Sequence, residues 1–295
     1  MPGLSTDAVL DLLREVAAEV ITPRFRSLAA GEVMEKNPGD LVTVADREAE
    51  ELITARLLAA YPDAVVLGEE AFAADHSVME RYLVADHAFP VDPVDGTKNF
   101  VHGSPDHAVM VAETIGGETV RGWIWQPEHE VAWVAELGSG TWRDGTRVHT
   151  TPVPEHRDPQ GVTSMWAMRE QRLGDLPAMR LSWVCCGVDY PKLVEGATDY
   201  IVYSRSNPWD HAPGSLLVTE AGGRSATPTA PPTARGRCVP ASWSPSTAPR
   251  MPWCSGASRP PSPADLLSSG DPLVDIGIRH PPVPRVLARW AMELP

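Results

Sequence analysis

Cysteine is scarce in this chain of 295 residues, with four in all, at positions 185, 186, 238 and 254. Adjacent Cys185 and Cys186 match neither a zinc-ligand spacing nor a disulfide framework, so they read as small buried hydrophobes. No apolar run approaches the roughly 18 residues of a membrane helix. No basic stretch leads into an apolar one at the N-terminus, as a secretory signal would. A reducing cytoplasm and no membrane partner are the expected setting. Positive charge is also short. Twenty-five Lys and Arg face 39 acids, for a net charge of −14. That argues against a nucleic-acid partner, because such binding rests on neutralising backbone phosphates with Lys and Arg.

At 43% hydrophobic the chain can bury a core, and its length allows one large domain or two small ones. Ser5, Thr6 and Asp7 offer a helix cap, and Val9, Leu10, Leu13, Val16, Ala17 and Val20 recur at helical spacing. A helix over residues 5–30 follows, kinked or ended by Pro23. A second is expected from Arg47 to Ala60, then a strand at Ala64–Leu67. Period-two alternation marks strands at Ala108–Ile115, Thr119–Gln126 and Glu130–Leu137, with Trp123, Trp125 and Trp133 as core residues. Further strands are expected at Val162–Met165, Leu181–Cys186 and Tyr200–Tyr203, with a helix near Lys192–Gly196. Beyond Ser225 the pattern breaks. Residues 225–295 hold 15 of the 30 prolines and carry seven Arg against four acids, +3, which leaves −17 on the first 224 residues. Residues 227–295 read as an irregular, Pro-rich tail. Either a shifted reading frame or a disordered extension accounts for them.

The densest chemistry lies in Val91-Asp92-Pro93-Val94-Asp95-Gly96-Thr97-Lys98-Asn99-Phe100. Two carboxylates at a strand end beside a helix start suit a hard divalent cation, which takes oxygen ligands. The plain alternative is an Asp-rich turn. Three further segments stand around it. Lys36-Asn37-Pro38-Gly39-Asp40 runs on to Thr43-Val44-Ala45-Asp46. Gly68-Glu69-Glu70 ends the short apolar strand. Trp209-Asp210-His211-Ala212-Pro213-Gly214 leads through Leu216-Leu217-Val218-Thr219-Glu220 to Ala221-Gly222-Gly223. In this order, from about residue 5 to about residue 226, the segments resemble the inositol monophosphatase family of magnesium-dependent, lithium-sensitive phosphatases.

The resemblance implies an α+β fold, a layered α-β-α-β-α sandwich. Residues 1–150 would form an N-terminal half with the metal site, and 151–226 a C-terminal half supplying Asp210. It implies two or three Mg²⁺ ions held by Glu69, Asp92, the Val94 carbonyl, Asp95 and Asp210. Asp46 and Thr97 would orient or deprotonate the attacking water. Gly96 and Thr97 N–H groups would receive the phosphate, and Asp189 and Asp210 would meet the substrate. The substrate would be a small phosphorylated metabolite, and a homodimer is the oligomer to test. Bound cations would reverse the sign of an acidic site and relieve the repulsion among four acids. Asp46 could instead serve only as the N-cap of the helix after it, and Asp210 likewise. His102, His107 and His211 read as packing groups, Glu70 as a neighbour of the ligands. Pro213 is expected in the first turn of its helix. The family's closing strand and helix are not found after Gly223. An acidic residue about seven positions before the motif aspartate is absent, since residues 201–206 read Ile-Val-Tyr-Ser-Arg-Ser. Inositol phosphates, histidinol phosphate, sugar bisphosphates and 3′-phosphoadenosine nucleotides therefore stay open as substrates, as does a catalytically impaired relative.

Overall fold

The computed structural model describes residues 3–37, 39–226 and 276–278. Ser5 caps the first helix by accepting from the Ala8 N–H at 3.1 Å. Val9, Leu10, Leu12, Leu13 and Val16 form the buried stripe of α1 (Thr6–Val16). The helix does not run on to residue 30. A π turn at Ala17–Ile21 and a 3-10 turn at Thr22–Arg24 end it at Pro23, which supplies no N–H. A hairpin of β1 (Val33–Asn37) and β2 (Asp40–Thr43) follows, which the sequence did not signal. Next comes α2 (Val44–Ala60), three residues longer at its start than expected.

The main sheet has seven strands in order of sequence: β3 (Val65–Gly68), β4 (His87–Asp95), β5 (Ala108–Ile115), β6 (Glu118–Gln126), β7 (Val131–Glu136), β8 (Gly140–Arg143) and β9 (Thr146–Val148). All neighbours are antiparallel except β3 and β4. Helices α3 (Glu69–Ala74) and α4 (Ser77–Val84) link β3 to β4, and α5 (Thr97–Val101) follows β4. The alternation of side chains along a strand builds two cores at once. Val109 and Val111 of β5 join the cluster under α1 and α2, with Trp123. Ala108 and Met110 join the opposite cluster, with Trp133. Trp123 and Trp133 are core residues, as the pattern implied, at 0% and 1% exposure, while Trp125 is only partly buried against the first cluster.

The opposite cluster is covered by α6 (Cys186–Glu195) and α7 (Pro208–Glu220). Behind them lies a five-stranded sheet. Its strands are β10 (Gly161–Thr163), β11 (Arg180–Leu181), β12 (Tyr200–Val202), β13 (Arg224–Ala226) and β14 (Ile276–Ile278), in the order β11-β10-β12-β14-β13. Strand β14 pairs antiparallel with both β12 and β13. Three residues of the stretch read as an irregular tail thus act as a closing strand between β12 and β13. That stretch gave no signal for a strand because Ile276-Gly277-Ile278 is shorter than any readable alternation. The rest of 227–295, where the reading-frame and disorder readings fall, lies outside the described residues.

Two prolines sit in helices. The sequence placed a strand over Leu181–Cys186, but Cys186 already opens α6, and Pro191 lies inside it. Proline at position i cannot donate to the carbonyl at i−4. Here that carbonyl is Gly187's, and Gln126 Nε2 donates to it instead at 2.7 Å, in a buried contact. In α7 the N-cap is Asn207, so Asp210 is the third helical residue and Pro213 falls in the second turn, not the first. Replacing Gln126 with Leu should leave the Gly187 carbonyl buried without a donor, which costs about 1–3 kcal/mol. A melting temperature equal to wild type for Gln126→Leu would show that this contact carries no such weight.

Candidate active site at the meeting of the two halves

Aspartates three apart on a regular strand face opposite sides. In β4 they do not, because pairing with β5 slips between Asp92 and Asp95. Such a bulge re-aims side chains, and Pro93 within it has no N–H to give to a ladder. Asp92 Oδ1 accepts from the Val94 N–H at 3.1 Å, which fixes the turn. Helix α7 then brings in Asp210 from the other half. One carboxylate oxygen each from Asp92, Asp95 and Asp210 lie within 4.8 Å of one another. Three hard oxygen donors at this separation suit a divalent cation such as Mg²⁺ or Mn²⁺.

A second pair lies beside them. Thr43 is the N-cap of α2, and Asp46 is its third residue in a capping box, not the cap itself. Asp46 Oδ2 accepts from the Thr43 N–H at 2.8 Å and Thr43 Oγ1 at 2.5 Å. Its other oxygen, Oδ1, lies 3.1 Å from Thr97 Oγ1. The Thr97 hydroxyl is also 3.1 Å from the Val94 carbonyl and has one proton to share between them. Gly96 precedes Thr97 with φ +81°, and a Cβ there would stand 3.0 Å from Cys185 Cβ and the Asp106 carbonyl, so only glycine fits this turn.

Glu69 opens α3 at the end of β3. Its Oε1 and Glu70 Oε1 both accept from Lys36 Nζ at 2.7 Å, so the β1–β2 hairpin closes onto this pair. The first turn of α3 is held from below. Glu50 accepts from the Glu70 and Ala71 N–H groups at 2.8 Å each, and a Cβ on Gly68 would strike its carboxyl at 2.1 Å. Glu50 and Lys36 were not singled out from sequence. The signal for Glu50 was its spacing, one helical turn beyond Asp46 on the same face of α2.

Asp189 departs from expectation. It has no exposed surface, and its oxygens accept from the Trp183 N–H at 2.8 Å and the Tyr203 hydroxyl at 3.3 Å. Because α6 starts at Cys186, this residue turns inward and is fully buried. Two of the three histidines behave as packing groups: His107 lies between the Phe25 and Phe100 rings, and His211 meets the Tyr190 hydroxyl at 2.9 Å. Burial lowers both to a pKa of about 4, so both are neutral. His102 Nδ1 lies 2.6 Å from the Lys98 carbonyl.

The acids behave oppositely. Burial, then repulsion from Glu69 and its neighbours, raises Asp92 well above the usual carboxylate range and Asp210 to about 8. Burial lifts Asp95 to about 6 against hydrogen bonds from Cys185 and Gly187. It lifts Asp46 to about 7 against those from Thr43.

With this geometry established, comparison with known proteins places the chain in the inositol monophosphatase family, whose model matches residues 5–248. Family members are phosphatases that hydrolyse phosphate monoesters. The chain is 30% identical over 203 residues to a Thermotoga maritima protein named fructose-1,6-bisphosphatase/inositol-1-monophosphatase, covering 64% of this chain and 73% of that one. It is 30% identical over 241 residues to inositol monophosphatase 1 of Solanum lycopersicum, covering 75% and 82%. A Thermotoga maritima IMPase structure superposes with a TM-score of 0.69 at 23% identity over 98% of each chain, which shows the shared fold.

A folded carboxylate with a raised pKa holds its proton longer than its unfolded counterpart. Stability then falls as pH climbs from the unfolded value toward the folded one. Without divalent cations the melting temperature should therefore drop between pH 4 and about 8, the window set by Asp95, Asp46 and Asp210. Saturating Mg²⁺ should flatten that drop. Scanning calorimetry in EDTA and in Mg²⁺ checks it, and a melting temperature that rises across the window in EDTA would contradict it.

Proposed function

We propose that this chain hydrolyses a small phosphate monoester with Mg²⁺, using water oriented by Asp46 and Thr97. The observation that carries the reading is the convergence of Asp92, Asp95 and Asp210 from two halves of the chain, beside the Asp46–Thr97 pair. Asp92, Asp95, Asp210, Glu69 and the Val94 carbonyl are the proposed ligands for two or three ions. Bound there, the cations would supply positive charge to the phosphoryl oxygens and lower the pKa of water. Thr97 Oγ1, held by Asp46 Oδ1, orients the attacking water, and the raised pKa of Asp46 suits it to take that water's proton near neutral pH. Gly96 and Thr97 N–H groups are assigned to the phosphate. Glu69 becomes available to a cation when Lys36 gives up its contact.

The leaving group is proposed as a polyol phosphate of the inositol kind. A sugar bisphosphate is the second reading, favoured by the absence of an acid in residues 201–206 and by the double name of the Thermotoga maritima relative. Histidinol phosphate and 3′-phosphoadenosine nucleotides complete the substrate panel. An acidic body disfavours contact with a nucleic-acid backbone. Among the described residues no helix is long and apolar enough to cross a membrane, and a cytoplasmic setting is proposed with the metal-dependent activity. Self-association as a homodimer is proposed with it, to be measured by light scattering.

A phosphate-release screen over these four classes with and without Mg²⁺ tests the assignment, and release from none of them would overturn it. Asp92→Asn should abolish turnover while the fold melts as one unit. Thr97→Ala should lose about 10²–10⁴-fold in kcat with KM little changed, because only the hydroxyl is removed. A raised KM with normal kcat would place Thr97 in binding rather than in water positioning.

A further inference from the structure

We infer that Cys185 is a positioning residue for Asp95, its thiol serving as the hydrogen-bond donor that orients this carboxylate for cation binding. The inference rests on the reading of Asp95 as a metal ligand. Residues 182–185 form the loop that leads into α6, and with the first turn of that helix they wrap the end of β4. The loop is held under constraint: Val184 has φ +57°, a left-handed conformation that a β-branched residue adopts only when its surroundings force it. Three contacts supply that force. The Trp183 N–H is bound by Asp189 at 2.8 Å, the Trp183 carbonyl by Asn99 Nδ2 at 2.9 Å, and the Val184 N–H by Ser182 Oγ at 3.1 Å.

What the constraint delivers is a two-point clamp. Cys185 Sγ stands 2.9 Å from Asp95 Oδ2, and the Gly187 N–H donates to the same oxygen at 2.5 Å. Oδ2 is thereby turned toward the loop, and Oδ1 receives no donor from it. Cys185 is buried, and a side chain on Gly96 would collide with its Cβ at 3.0 Å, so the approach is close and specific. A thiol ordinarily keeps its proton near neutral pH, so the sulfur has one to donate. Asp189 thus reaches the site indirectly, by holding the loop that holds Asp95. Removing a group that orients a ligand from behind weakens metal affinity typically 10–100-fold.

The test titrates Mn²⁺ into the full chain by calorimetry without substrate, and measures kcat and KM in saturating Mg²⁺, for wild type, Cys185→Ala and Cys185→Ser. Cys185→Ala should weaken Mn²⁺ binding about 10-fold or more, with substrate KM at saturating Mg²⁺ little changed. Cys185→Ser, which keeps a donor, should recover most of the affinity. Wild-type affinity in a folded Cys185→Ala would overturn the inference, leaving the thiol as packing alone. So would Cys185→Ser binding as weakly as Cys185→Ala at equal melting temperature. Should Cys185→Ala fail to fold, Cys185→Val replaces it, since it keeps bulk without a donor. Failure of wild type itself to bind Mn²⁺ would overturn the metal reading of Asp95, a distinct result.

Discussion

Asp92, Asp95 and Asp210 occupy a volume in which three negative charges cannot coexist at low cost. Each is withdrawn from water, and each raises the others' affinity for protons. A side chain used only for stability would not be placed so. Mutual repulsion of buried acids is a standing destabilisation, and a cation bound there would convert repulsion into attraction. Much of the surrounding architecture keeps these oxygens together. The slip in β4 turns two aspartates to one side, Asn207 Nδ2 holds Asp210 Oδ2 at 2.9 Å, and Cys185 with the first turn of α6 grips Asp95 from behind.

The same constraint explains why the site lies where the end of β4 meets α7. A single strand end can offer two carboxylates, but a third must arrive from elsewhere, and α7 brings it. Helices α6 and α7 pack on the β5 and β6 face that carries Met110 and Ile124, so the second core and the third carboxylate share one scaffold. On the opposite face, α2 serves the site through two acids one turn apart. Asp46 reaches Thr97, while Glu50 fixes the start of α3 and with it Glu69. Loss of packing in either core would therefore reach the reacting groups through a short chain of contacts.

Much of this was legible in the residues. Long period-two stretches gave β5, β6 and β7 because alternation over six or more residues is hard to mistake, and the acids of the motifs gave the cluster. What escaped was short or hidden. The hairpin at 33–43 and strands β8 and β9 are too brief for a pattern, and β14 owes its place to partners far away in the chain. Helix α6 was misplaced at its start because Gly187 and Pro191 argue against a helix locally, and Gln126 compensates from 61 residues away. Glu50, Lys36 and Cys185 act through contacts whose partners are not adjacent in sequence. Asp189 was assigned to the substrate through the family resemblance, and the inward turn of α6 buries it.

A divalent cation bound here would take the place of protons held by these crowded acids. Titrating Mg²⁺ into the protein near pH 7, in buffers of different ionisation enthalpy, measures the protons released on binding. Because burial and the neighbouring acids raise Asp210 to about 8, binding should release protons at that pH, and replacing Asp210 with Asn should reduce the number. Binding that releases no protons, with an unchanged count in Asp210→Asn, would mean that the cation sits elsewhere and that the cluster is not its site.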